Sequence, residues 1–190
     1  MAKTASEQNS VTASGLLAAA QVTGAKGLPP VHLWNPPYCG EIDIRIARDG
    51  TWWHEGSPIG RAPLVRLFST ILKREGERYF LVTPVEKVGI VVEDVPFIAT
   101  DFAVAGMGQG QVLTFTTNVG DQVTAGPDAA LRLTGGAPYV MVRAGLEARI
   151  DRKSFYRLAE LGAMAEWQGE EWFGVWSGGV FWPMQRGAEL

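Results

Sequence analysis

Apolar and polar residues alternate at the start of the patterned part of the chain. Ile42, Ile44 and Ile46 are separated by Asp43 and Arg45, a period of two that predicts a half-buried strand. Asp49-Gly50 predicts a hairpin turn into a second strand, Thr51-Trp52-Trp53. Adjacent strand residues face opposite sides, so one of the two tryptophans is expected in the core and the other nearer solvent. Past Pro63 the period lengthens. Leu64, Leu67, Phe68, Ile71 and Leu72 share one face of a helix, with Pro63 in its first turn and Gly76 as its stop. Strands are expected again at 79–83 and 87–92.

The pattern then recurs. Ile59, Arg61, Leu64, Arg66 and Leu67 are matched, 91 residues on, by Ile150, Arg152, Phe155, Arg157 and Leu158. Gly76-Glu77-Arg78-Tyr79-Phe80-Leu81-Val82 is matched, 93 residues on, by Gly169-Glu170-Glu171-Trp172-Phe173-Gly174-Val175. Two matches in the same order and at nearly the same spacing indicate a duplicated unit. The second copy has strands expected at 139–143, 146–149, 172–176 and 180–182, and a helix capped by Asp151. Both copies therefore read as ββαββ. Extra strands are expected at 97–104, 112–117 and 129–133. The class is α+β: a tandem duplication of a ββαββ-like module with mostly antiparallel sheets. The boundaries are a tail over 1–27, a first module over 28–95, and a second over 96–190 with extra N-terminal strands.

Composition narrows the classes. The net charge of −3 over 190 residues argues against broad nucleic-acid or anionic-membrane binding. Cys39 is the sole cysteine, which rules out an internal disulfide and fits a reducing, cytoplasmic setting. In the tail, Leu16 to Ala20 is too short for a membrane span. Glu7 and the interrupting Ser and Thr make a poor signal peptide. A frayed tail with one short helix over 13–22 is expected.

Candidate chemistry is sparse. Gly106-Met107-Gly108-Gln109-Gly110 leads into a strand pattern, so a hairpin loop is expected rather than a phosphate loop. His32, Cys39, His54 and Glu55 lack metal-ligand spacing, and Ser57 near His54 has no third triad member. No metal, cofactor or catalytic residue is expected. The helix starts carry more. Arg61 and Arg152 sit in equivalent first turns, where a cation opposes the helix dipole. A bound anion would explain this, as would an ion pair with a carboxylate such as Glu55 or Asp151. Asp151 would repel an anion, whereas its counterpart Gly60 leaves the amides open, so the first copy is the expected binder.

Long stretches also carry a family likeness. Pro30-Val31-His32-Leu33-Trp34-Asn35-Pro36, the run from Asp49 to Ile59, Thr83 to Lys87, Thr116 to Asp121 and Tyr139 to Ile150 resemble the bacterial family called domain of unknown function 1285. The resemblance runs from about residue 28 to the C-terminus. It implies a duplicated core whose C-terminal half superficially looks like a pleckstrin-homology domain. It also implies a nucleotide-like ligand between the halves and a signalling role linked to oxidative stress. It assigns no catalytic residues.

The leading expectation is a non-enzymatic binding protein holding a nucleotide-like anion between the modules. Arg61, with Arg152 as its counterpart, would meet the anion, and Trp34, Trp53 or His54 would offer a stacking surface or donor. Glu86, Lys87, Asn118, Asp121, Arg143 and Arg149 are the further candidates for its lining. A protein-interaction adaptor, partnered in a signalling pathway, and a hydrolase or transferase acting on a phosphorylated compound are the alternatives.

Overall fold

The computed structural model describes residues 28–189, together with residues 15 and 18. The tail helix expected over 13–22 lies outside the described residues except at Gly15 and Ala18, which are helical. The chain is sheet-rich α+β and divides into two compact units. One comprises Met1–Arg45 with Trp52–Val91, and the other Ile46–Thr51 with Val92–Leu190.

The first unit is built on β1 (Tyr38–Ile46), β2 (Trp52–His54), β3 (Ser57–Pro58), β4 (Leu72–Glu75), β5 (Arg78–Val82) and β6 (Lys87–Val92). They form one sheet in the order β3-β2-β1-β6-β5-β4. Helix α1 (Ala62–Thr70) lies between β3 and β4 in sequence and starts on a proline-bearing first turn. Its Phe68 stacks on Trp52, with ring centroids 6.3 Å apart. Both are buried with Ile44, Leu81 and Val88. Trp53 faces the other way, half-buried, with the Arg45 guanidinium 5.2 Å from its ring.

The second unit opens with β7 (Phe97–Ala105), β8 (Val112–Thr117), β9 (Gln122–Thr124), β10 (Leu131–Thr134), β11 (Ala137–Arg143) and β12 (Leu146–Ile150). Their sheet runs β10-β11-β12-β7-β8-β9. Its β12–β7 pairing is parallel, against the antiparallel rule of its neighbours. Gly106 to Gly110 is the β7–β8 hairpin loop. Helix α2 (Arg152–Glu160) follows β12, and β13 (Ala163–Trp167), β14 (Glu170–Ser177) and β15 (Val180–Arg186) form a separate antiparallel sheet. Arg157 fastens α2 to β7 by an ion pair with Asp101 and a 3.1 Å hydrogen bond to the Phe102 carbonyl.

The two halves are similar, but the shared unit differs from ββαββ. In each, the helix leads into three strands, β4-β5-β6 and β13-β14-β15. Ile71 and Leu72 therefore leave the helical face assigned to them. Ile71 caps α1 through its N–H to the Phe68 and Ser69 carbonyls, and Leu72 pairs with Leu81 in β4. Gly76 does not stop the helix. It sits at φ 60° in the β4–β5 turn, and Gly169, at φ 81°, plays the same part between β13 and β14.

Candidate functional site

An open groove of about 560 Å³ lies in the second unit where β12 runs into α2. The turn after β1 supplies Arg48 and Asp49, β7 supplies Ile98, the β10–β11 connection supplies Gly136, and the start of β11 supplies Ala137 and Pro138. Arg149 and Ile150 come from the end of β12, and Asp151, Arg152, Phe155 and Tyr156 from the start of α2. The groove thus brings three guanidiniums, two carboxylates and two aromatic rings to one wall.

The carboxylates face backbone amides. Asp151 caps α2, its Oδ1 accepting the Ser154 N–H at 2.7 Å. Asp49 accepts the Thr51 N–H at 2.9 Å, which shapes the hairpin turn. The guanidiniums are less committed. Arg48 is exposed, and its guanidinium has no carboxylate partner among the described residues. Arg152 donates from Nε and Nη2 to the Tyr156 hydroxyl, at 3.1 and 2.9 Å, and likewise has no carboxylate partner among the described residues. Arg149 has Asp94 at 3.7 Å, past ordinary hydrogen-bond reach. A polar, half-apolar hollow of this size suits a small ligand with an anionic end.

Of the sequence candidates, the groove unites Arg149 and Arg152. Three others are structural partners elsewhere in the second unit. Asp121 and Arg143 form an ion pair, with Arg143 also 4.9 Å from the centre of the Phe97 ring. Asn118 receives the Ile98 N–H at 3.0 Å and lies against Gly50, whose φ is 85°. In the first unit, Trp34 packs on Val31, Phe80 and Val82, and its carbonyl takes a 3.0 Å hydrogen bond from Lys73. Lys87 pairs with Glu75 at 2.8 Å over the Phe80 ring. That hydrogen bond holds the Glu75 carboxyl below its ordinary range. Glu86 closes a turn through hydrogen bonds with Thr83. His54 sits opposite Ser57 in the β2–β3 hairpin, and Arg61 stands exposed as the N-cap of α1. Gly60 therefore precedes the cap rather than forming it.

Comparisons with known proteins place this architecture. The description "Domain of unknown function (DUF1285), N-terminal domain" matches residues 29–95, and "Protein of unknown function (DUF1285), C-terminal domain" matches residues 96–184. A crystal structure of a DUF1285 family protein from Silicibacter pomeroyi DSS-3 is 59% identical, with a TM-score of 0.83 over 92% of this chain and 97% of that one. The chain belongs to the DUF1285 family. A second DUF1285 structure, from Shewanella baltica OS155, is 29% identical, with a TM-score of 0.53 over 62% of this chain and 90% of that one. No curated protein matches the chain.

In this DUF1285 protein, sequence reasoning missed Arg48, Asp94, Tyr139 and Tyr156. Arg48 and Tyr156 had usable signals: one precedes the predicted Asp49-Gly50 turn, and the other lies one turn beyond Arg152 on the same helix. Asp94 and Tyr139 meet across 45 residues of sequence, and nothing local announces that.

Proposed function

We propose that this protein binds a small anionic ligand, without chemical conversion, in the groove at the head of α2. The supporting observation is the pairing pattern on its wall. The Arg48 and Arg152 guanidiniums have no carboxylate partner among the described residues, while Asp151 beside them is turned to the Ser154 amide. Guanidiniums bind phosphate and carboxylate oxygens through paired N–H donors. A phosphate-bearing, nucleotide-like molecule is the class we favour, its anionic end at the arginines and its ring against Tyr156 or Phe155. A volume near 560 Å³ suits that size. A cytoplasmic role in signalling, with occupancy of the groove as the signal, completes the reading, and the exposed thiol of Cys39 fits a reducing compartment.

The reading moves the site from the head of α1, favoured by the sequence, to the head of α2. At α1 a lone Arg61 faces solvent, whereas at α2 three arginines share one hollow. A thermal-shift screen against phosphate, pyrophosphate and nucleoside mono- and diphosphates tests it. At least one should raise the melting temperature of the wild type, and Arg48→Gln should reduce the rise. A screen without any stabilising anion would refute the reading.

A further inference from the structure

The segment joining β6 to β7 touches two of the three groove arginines. The Arg48 N–H donates to Glu93 Oε2 at 3.0 Å, and the Glu93 N–H donates to the Ile46 carbonyl at 3.0 Å. The next residue, Asp94, faces Arg149. We infer that Asp94 is a built-in competitor for the groove's ligand, using Arg149 while the groove is empty and yielding it when an anion arrives. This rests on the groove being an anion site.

The geometry gives Arg149 two exclusive uses. Arg149 lines the groove, and Asp94 is not part of that lining. Its Nη1 is 3.7 Å from Asp94 Oδ2, so the two are held by charge rather than by a good hydrogen bond. Both side chains keep some access to water, at 36% and 20% exposure, so the guanidinium can turn without crossing a packed core. Asp94, in contrast, loses one of two tethers and keeps the other when Arg149 leaves. Both its oxygens are 3.2 Å from the Tyr139 hydroxyl, which can donate to either. Tyr139 is itself fixed: it is buried, and Arg132 lies 4.0 Å from its ring centre, pinned in turn by Glu147. Of this network, Arg149 is the member with room to move and a second site to move toward.

Coupling of this kind is reciprocal. An anion that takes Arg149 loosens the Glu93–Asp94 segment, and removing the Asp94 charge tightens the anion. Asp94 therefore sets the groove's affinity and converts occupancy into a change in the segment between the two sheets' strands.

Asp94→Asn tests the competition, since it keeps an acceptor for Tyr139 and removes the charge. Pyrophosphate would be titrated calorimetrically into the wild type, Asp94→Asn, and Asp101→Asn. The last removes an equally charged carboxylate that pairs with Arg157 away from the groove. Asp94→Asn should bind about fivefold tighter, as expected for release of a partly exposed ion pair, with a smaller gain in Asp101→Asn. Amide exchange over residues 92–95 should rise on adding pyrophosphate to the wild type. Equal affinities in wild type and Asp94→Asn, or a gain matched by Asp101→Asn, would overturn the inference while leaving the groove reading intact. Absence of binding in all three proteins would overturn both.

Discussion

Glu147 and Arg132 form a two-pronged ion pair, with Arg132 Nε 2.6 Å from Oε1 and Nη2 2.9 Å from Oε2. Glu147 is 7% exposed, so its charge depends on that fork. The pair ties β10 to β12 across β11 and holds Arg132 over Tyr139. Replacing Arg132 with Met keeps the apolar stem and takes the two-pronged partner from a buried carboxylate. Urea unfolding should show a loss of about 2–3 kcal/mol.

Ser177 joins the two sheets of the second unit. Its Oγ donates to the Ala125 carbonyl at 2.7 Å and accepts the Leu113 N–H at 2.9 Å, in a wholly buried position. Ser177→Ala removes one partner from each of two buried backbone groups. A loss of about 1–3 kcal/mol is expected, while Ser57→Ala, at an exposed hairpin position, should be near neutral.

Much of this architecture was legible in the sequence, because burial in a sheet imposes a period of two and the duplication repeats it. The Asp49-Gly50 turn, the Asp151 cap and the split between Trp52 and Trp53 all follow from local rules. The strands β4 and β13 did not. Ile71 and Leu72 continue the helical period of Leu64, Leu67 and Phe68, and no glycine marks the end of α1 at Thr70. Pairing with Leu81 decides their state, which is a tertiary effect. The groove was half legible. Arg152 and Arg149 stood out by motif. Arg48 lies in a turn with no motif, and its place in the groove depends on contacts far along the chain.

Gly174 in β14 is a close-approach glycine. A Cβ there would stand 2.3 Å from the Trp182 carbonyl oxygen and 2.7 Å from Phe181 Cζ. The carbonyl belongs to the paired strand β15 and cannot swing away without breaking the ladder. Gly174→Ala should lower stability by about 3 kcal/mol in thermal or urea unfolding. Gly179→Ala, where a Cβ would meet nothing but the backbone sits at φ 76°, should cost only about 1 kcal/mol.

The Tyr139 phenol should mark the alkaline limit of stability. Burial pushes its pKa above the ordinary 10.0, and the Asp94 charge adds to the rise. The folded state thus holds the proton more tightly than the unfolded chain. The resulting stabilisation is complete below the unfolded pKa and is lost as pH rises through the folded one. Between pH 9 and pH 11 the wild type should lose more stability than Tyr139→Phe, which has no proton to give. Parallel losses in both would show that Tyr139 does not control this limit.

The central claim places anion binding at the head of α2, around Arg48, Arg149 and Arg152, and not at Arg61. Calorimetric titration of pyrophosphate into the wild type, Arg48→Gln, Arg152→Gln and Arg61→Gln tests this most directly. Loss of a charge-assisted contact from the site corresponds to about tenfold weaker binding. Arg48→Gln and Arg152→Gln should each show that loss, and Arg61→Gln should match the wild type. A loss confined to Arg61→Gln, with the other two unchanged, would contradict the account and return the site to the first helix.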